Sequence, residues 1–594
     1  MNFKNRALLS SVAATMSVGI GMMAAPMASL ALEQGAEWDP NIQILVGETM
    51  VTAENANDVL GDGTVSYDVA TNTLNLKDAN ITKGIDRGTT CGIIAINSIN
   101  IAGNASISGV DIGILAVSGD STVNILNGAD VNIDCDETGI DADRIFIENS
   151  KVAVNTDKTD DIALYGKAET VISNSVIDLS GSCCLEGNCT INNGSVVSVE
   201  STNVGLMGYD ESLNIDNSKV TINAPVDIQY SVVNISGDST VMDLTADHAA
   251  IVGGEATNIS EGTVKINSTG YGIGSDNTVN IKNGADVNIA SAEEGIKANR
   301  IFIENSNATV NSETTGLFAA EETVISNSQV NLSGSLCVEG NCTINNGSVV
   351  YAESSNGGMW GDTLNIDNSK VTINAPVDVQ YNVVNVSGDN TVMDLTAEYK
   401  ALVGGETVKI TAGTINVNST GYGIFGQSID ISGKNTKVSA KGALAAIVGE
   451  TVNVSDVAVV TPEEGSVGTG VMTDDWGDEV DAMGVVDKNG AIATEVVFGH
   501  AHKLVKVEAV APTTETEGNI EYYVCEDCGC YFKDEDGKEP ISDKSSVVLP
   551  KVTVTPTPAP VAEPTTPSNN GDAQIRDLVD YFFRLIFRGF KLFW

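Results

Sequence analysis

Between residues 40 and 460 one short phrase keeps returning: a run of alternating β-branched and polar residues, an Asn-Ser or Asn-Gly corner, then another such run. It reads NGADVNI from Asn127, IENSKVAV from Ile147, ISNSVIDL from Ile172, INNGSVVSV from Ile191 and IDNSKVTIN from Ile215. Pairs such as Val131 and Ile133, or Val152 and Val154, put apolar side chains on one side of an extended strand. From the corner at Asn127 to the corner at Gly433, fourteen steps average about 22 residues, a solenoid period too short for a helix in every coil. The coils lack the LxxLxL phrase of leucine-rich repeats, and an antiparallel sandwich would not hold so regular a step. The pattern predicts an all-β chain, a parallel β-helix of about nineteen coils, roughly 90 Å long at the usual strand spacing. Corner residues Asn149, Asn174, Asn217 and Asn305 suit left-handed backbone and can bond to the next coil.

A longer period lies over the short one. RIFIENS recurs at 144 and 300, INNGSVV at 191 and 344, IDNSKVTINAPVD at 215 and 366, and NSTGYGI at 267 and 418. About seven coils are therefore present twice, as two blocks of about 153 residues. The remaining organisation follows from changes in composition. Residues 1–31, with Lys4 and Arg6 before an apolar stretch and small residues at Ser29 and Ala31, read as an export signal. Residues 32–85 precede the regular coils and suit a β cap, since a solenoid end exposes unpaired strand edges. The coils occupy 86–460, an acidic connector 461–497, a small β module 498–551 and a Pro/Thr-rich spacer 552–571. In 572–594, Arg576, Asp580, Arg584 and Arg588 form a charged stripe at helical spacing, while Ile575, Val579, Phe582, Ile586, Phe590 and Phe593 cover the rest. This predicts an amphipathic helix lying on a membrane or envelope surface.

Charge then narrows the partners. With 79 acidic against 31 basic residues the net charge is −48, which repels phosphate backbones and excludes nucleic acid as a partner. An enzyme of the pectin-active kind, lyase or hydrolase, needs a basic side chain beside carboxylates or a unique carboxylate pair. The coils hold only Arg87, Arg144 and Arg300, the last two at equivalent places in the two blocks, and His248 is replaced by Tyr399 in the second block. These observations favour a non-enzymatic, secreted or cell-surface protein that binds carbohydrate or a host ligand. A polysaccharide lyase or hydrolase is the first alternative and a structural stalk the second.

Three stretches resemble known families. Residues 41–80, with DVLGDGTVSYDVATNTLNL, resemble a module found before β-helix regions in secreted proteins of Gram-positive gut anaerobes. DCDETGIDADRIFIENS from Asp134 resembles the Gly-Ile-Asp-Ala-Asp phrase of calcium-dependent polygalacturonate-binding β-helix proteins. That resemblance implies calcium held by Asp134, Asp136, Asp141 and Asp143 and bridging to sugar carboxylates. In the second block Lys297 and Asn299 stand at the places of Asp141 and Asp143, so the site is not duplicated. Residues 498–541 resemble a small module of secreted Gram-positive proteins, with His502, Cys525, Cys528, Gly529 and Phe532 matching its pattern and Thr514 where the family has Cys. The resemblance implies zinc on His502, Cys525 and Cys528, with Cys530 or His500 as the fourth ligand, and a Cys525–Cys528 disulfide is the rival reading. In the coils, Cys184 and Cys189 recur as Cys337 and Cys342 within C-[LV]-E-G-N-C, a spacing that suits a small disulfide-stapled corner in an exported protein.

Overall fold

The computed structural model describes residues 42–85, 88–157, 161–499, 503–526, 529–535, 537 and 539–553. The expected export signal, the spacer beyond 553 and the C-terminal helix lie outside the described residues. Strands pair in parallel with the strand one coil on, and the innermost register runs Ile93, Ile114, Ile140, Leu164, Leu185, Leu206 and onward to Ile447. The fold is a β-solenoid of about 17 turns. Nineteen coils were expected. The difference arises because strands at both ends turn antiparallel and close the stack instead of extending it.

Each coil has three faces. One face carries an outward ladder of asparagines, in which the side-chain amide of Asn234 donates to Asn214 at 2.9 Å, that of Asn258 to Asn234 at 2.8 Å and that of Asn280 to Asn258 at 2.8 Å. The chain then turns through the expected corners. Asn149, Asn174, Asn217 and Asn305 sit at φ 50°, 47°, 45° and 51°, a left-handed region that Asn tolerates better than β-branched residues do. Asn174 also bonds Asn149 at 2.6 Å across the coils. The second face follows with strict in-out alternation, as in Lys151–Thr156. On the third face two successive residues point inward, such as Ala163 with Leu164 or Cys184 with Leu185, all fully buried.

Both stack ends are capped by antiparallel pairing. At the start Ile44 lies opposite Ala95 and Val46 opposite Ile93. At the far end Glu495–Gly499 pairs along Val438–Lys441, burying Phe498, and Glu479–Val486 meets the third face at Val448 and Gly449. The stretch expected to be an acidic connector is therefore largely a cap, which satisfies the last strand edge. The chain divides into two compact units between residues 501 and 502. In the second unit Leu504–Val507, Tyr522–Cys525, Tyr531–Phe532 and Pro540–Ile541 form a small antiparallel sheet, with Cys525, Phe532, Ile541 and Val547 buried. No described helix is long and apolar enough to cross a membrane.

Candidate functional site

The third face presents one outward column along the rod, each residue one rung above the last. In the first block it reads Asp141, Tyr165, Glu186, Met207, Gln229, Val252 and Gly274. In the second it reads Lys297, Phe318, Glu339, Trp360, Gln380, Val403 and Phe425. Rungs are about 4.8 Å apart, so Phe318 and Trp360 stand about 10 Å apart and Trp360 and Phe425 about 14 Å.

The second-block column is a platform of rings with polar groups between them. The Trp360 ring lies over Gly357, where a Cβ would come within 2.4 Å of the indole. Its Nε1 is buried without a hydrogen-bond partner among the described residues, an orphan donor on an outward column. Lys297 Nζ lies 5.6 Å from the Phe318 ring centre. Lys400 Nζ lies 4.9 Å from the Phe425 ring and 5.4 Å from the Tyr422 ring, two cation–π contacts that hold the ammonium on the platform. Tyr422 and Phe425 meet edge to face at 5.5 Å.

The first-block column holds a different group. Asp141 is buried, and Lys167 Nζ approaches its Oδ1 at 3.3 Å as an ion pair without hydrogen-bond alignment. Burial raises the Asp141 pKa and Lys167 opposes that rise. Glu186 is also pushed up, first by burial and then by Glu211, and neither has an ion-pair partner among the described residues. Three residues, Tyr209 to Glu211, separate Gly208 from Ser212 here, whereas only Asp362 separates Gly361 from Thr363 in the second block. This insertion sets Tyr209, exposed, near Glu186, whose charge raises the Tyr209 pKa after desolvation.

The four expected calcium ligands are spread around the coil. Asp134 is exposed on the second face, where its Oδ1 accepts from Asn155 Nδ2 at 2.8 Å. Asp136 is exposed at the following corner, Asp141 faces outward on the third face and Asp143 lies at the next turn, half-buried. Among the described residues no three His, Cys, Asp or Glu side chains are placed to hold a metal ion. The four aspartates are separated because a coil of about 22 residues turns through its faces within ten positions. Asp134 belongs instead to a polar ladder whose neighbours Asn155, Ser180 and Glu200 line an open groove of about 580 Å³ with no ring in it.

The expected staples are absent as well. Cys184, Cys189, Cys337 and Cys342 are free, buried thiols. Each pair straddles a corner: Cys183 and Leu185 pair on the third face and Cys189 on the asparagine face, with Gly187 turning at φ 108° between them. The Cys184 and Cys337 thiols contact the carbonyl oxygens of Glu200 and Glu353 at 3.5 and 3.4 Å, and burial pushes both pKa values up to about 12. Of the expected zinc ligands, Cys525 is buried and Cys530 exposed, and His502 and Cys528 lie outside the described residues.

Sequence reasoning missed the ring column and two further groups, Asp227 and Asp378. These occupy the same inward position of the third face, one in each block, where other coils carry Gly, Ala or Cys. Both are fully buried, and burial pushes both pKa values up to about 8. Asp378 Oδ1 accepts from the Ala375 amide at 2.8 Å, while its Oδ2 and both Asp227 oxygens lack aligned partners among the described residues. The repeated phrase NAPVD carried this signal, since a lone Asp amid inward apolar residues marks an exception. Comparison with known proteins returned no match to a family model, a curated protein or a solved structure.

Proposed function

We propose that this protein is a non-enzymatic carbohydrate-binding β-solenoid whose ligand lies along the third face of the second block. The observation that supports this is the platform of rings at Phe318, Trp360 and Phe425 on one outward column. Aromatic faces take the apolar side of a sugar ring, and Glu339 and Gln380 between the rings offer partners for hydroxyls. The export signal read at 1–31 supports a secreted or cell-surface protein, and the stripe at 572–594 supports attachment to an envelope or membrane. Calcium enters this reading only as a ligand-linked ion, since the aspartates of the first block are not gathered to bind it.

Isothermal titration of the full chain against glycans found on an array, with and without chelator, tests the reading. Trp360→Ala and Phe425→Ala should each weaken binding about tenfold or more, a loss expected for a buried aromatic anchor. Wild-type affinity in both variants would remove the platform as the site. A second reading, a pectin-active lyase or hydrolase, draws on Glu186 and Glu211, two unpaired carboxylates beside Tyr165 and Tyr209, the first with a raised pKa as a general acid requires. Unsaturated or reducing-end products from pectin, lost in Glu186→Gln, would favour it over simple binding.

A further inference from the structure

The end cap holds a tryptophan that the ring column does not include. Ser466–Thr473 and Glu479–Val486 form a hairpin, paired without interruption from Ser466 opposite Val486 to Thr473 opposite Glu479. Met472 and Val486, with Ile492, close over Tyr422, Ala445 and Val448. The outward column is thus covered from Val448 onward and open as far as Phe425, which is 37% exposed. At the hairpin tip Asp474 Oδ1 accepts from the amides of Trp476 and Asp478, each at 2.9 Å, and Gly477 takes φ 85°. The Asp474 amide bonds to the Asp478 carbonyl at 2.9 Å, closing the turn. The tip adjoins the platform, because Met472, two residues before Asp474, packs in one apolar cluster with Tyr422, and after desolvation the Asp475 and Asp474 carboxylates raise the Tyr422 pKa. Yet Trp476 itself is 88% exposed and packs on nothing. The turn closes the cap hairpin, whereas the Trp476 ring that it holds in water adds nothing to that closure and is already ordered to meet a ligand.

Resting on the carbohydrate reading of the platform, we propose that this tip is an end subsite. A glycan running up the ring column meets the hairpin after Phe425 and ends there, with Trp476 stacked on its terminal sugar. The carboxylates of Asp475 and Asp478 accept hydroxyl protons, and Asp474 acts as a positioning residue that fixes the turn. The sugar taken here is neutral. Asp474, Asp475, Asp478 and Glu479 crowd the tip, so a uronate or sulfated end would face like charge. The interior of a long chain has no path past the hairpin where it sits on Val448, so ligands bind by their ends.

Titration of the full chain with cellohexaose, xylohexaose, mannohexaose, hexagalacturonate and the end-less ring β-cyclodextrin tests this. At least one neutral hexasaccharide should bind, hexagalacturonate more weakly and cyclodextrin not at all. Trp476→Ala should weaken the bound hexasaccharide about tenfold without moving the melting temperature, and Asp474→Ala should weaken it less, with Asp474→Asn restoring part of the loss. In a background carrying Trp38→Phe, Trp360→Phe and Trp594→Phe, which leaves Trp476 as the one tryptophan of the chain, the emission should shift to the blue on binding. Unchanged affinity in Trp476→Ala, with affinity lost in Trp360→Ala, would overturn the end subsite and leave the platform standing. Equal or tighter binding of hexagalacturonate or cyclodextrin would overturn its neutral, end-on character, and no binding of any probe by the wild type would overturn both proposals.

Discussion

The two blocks repeat each other on the inside and part company on the outside. Inward rungs keep one chemistry: Leu206 answers to Met359, Ile228 to Val379 and Ile251 to Leu402, all wholly buried. Outward rungs of the third face do not, with Asp141 against Lys297, Met207 against Trp360 and Gly274 against Phe425. Inside, each side chain must fill the same space left by identical neighbours above and below, so volume restricts the choice. Outside, no neighbouring rung restricts the volume in this way, so the two blocks can differ there without cost to the packing. The comparison also separates the blocks by kind, since the first gathers carboxylates around an insertion and the second gathers rings.

The comparison can be broken most directly at the core. Leu206→Ala and Met359→Ala should each cost about 2–5 kcal/mol in denaturant unfolding, because both leave a cavity between rigid rungs. A loss in one block only would show that the blocks do not share one packing.

The next effect is on pH dependence and should be common to both blocks. Asp227 and Asp378 have folded pKa values of about 8, far above the unfolded carboxyl value, so the folded state holds protons that the unfolded state releases. Their stabilising share is full below the unfolded pKa and is lost as pH rises to about 8. The slope approaches about 1.4 kcal/mol per pH unit for each site. The melting temperature should therefore fall from pH 5 to pH 8, by half as much in either single Asp→Asn variant and hardly at all from these sites in the double variant. A wild-type profile matching the double variant would mean that the carboxyls are ionised and solvated.

The smallest effect sharpens the contrast on the outside. Lys167→Met leaves buried Asp141 without its cation and should destabilise by about 1–3 kcal/mol, an effect relieved when Asp141→Asn is added. Lys297→Met breaks a half-exposed pair with Glu294 at 2.8 Å and should cost less than about 1 kcal/mol. Equal losses by chemical denaturation would erase the distinction between a buried carboxylate and a solvated pair.

What could be read in the sequence followed from locality. The coil period, the duplicated block and the left-handed Asn corners each depend on residues within a few positions, and Asn149 or Asn305 needs no distant neighbour to favour its turn. The ring column depends on register. Phe318, Trp360 and Phe425 are separated by whole coils in the chain and align only when each coil's third strand is placed. That strand breaks the period of two by turning Ala163 and Leu164, or Cys184 and Leu185, inward together, so alternation alone puts the outward residue on the wrong side. The same break misled the cysteine reading, because four intervening residues can close a loop unless a corner lies between them, as Gly187 does. In the Asp134–Asp143 phrase, likewise, nearness in sequence becomes separation around a coil.

The corners have one more consequence, for the ageing of the protein. Asn-Gly is the dipeptide most prone to deamidation, which begins when the glycine amide nitrogen attacks the Asn side-chain carbonyl carbon. Four corners carry it, at Asn127, Asn193, Asn283 and Asn346. In each the glycine amide is already engaged with the carbonyl of the corner residue one coil on: Gly128 with Asn149, Gly194 with Asn217, Gly284 with Asn305 and Gly347 with Asn368, at 2.7 to 3.0 Å. The nucleophile is pinned for as long as the coils stay stacked. Stacking thus works as a preservative, and the isoaspartate found at these four corners in an old sample would record how long the coils had spent apart.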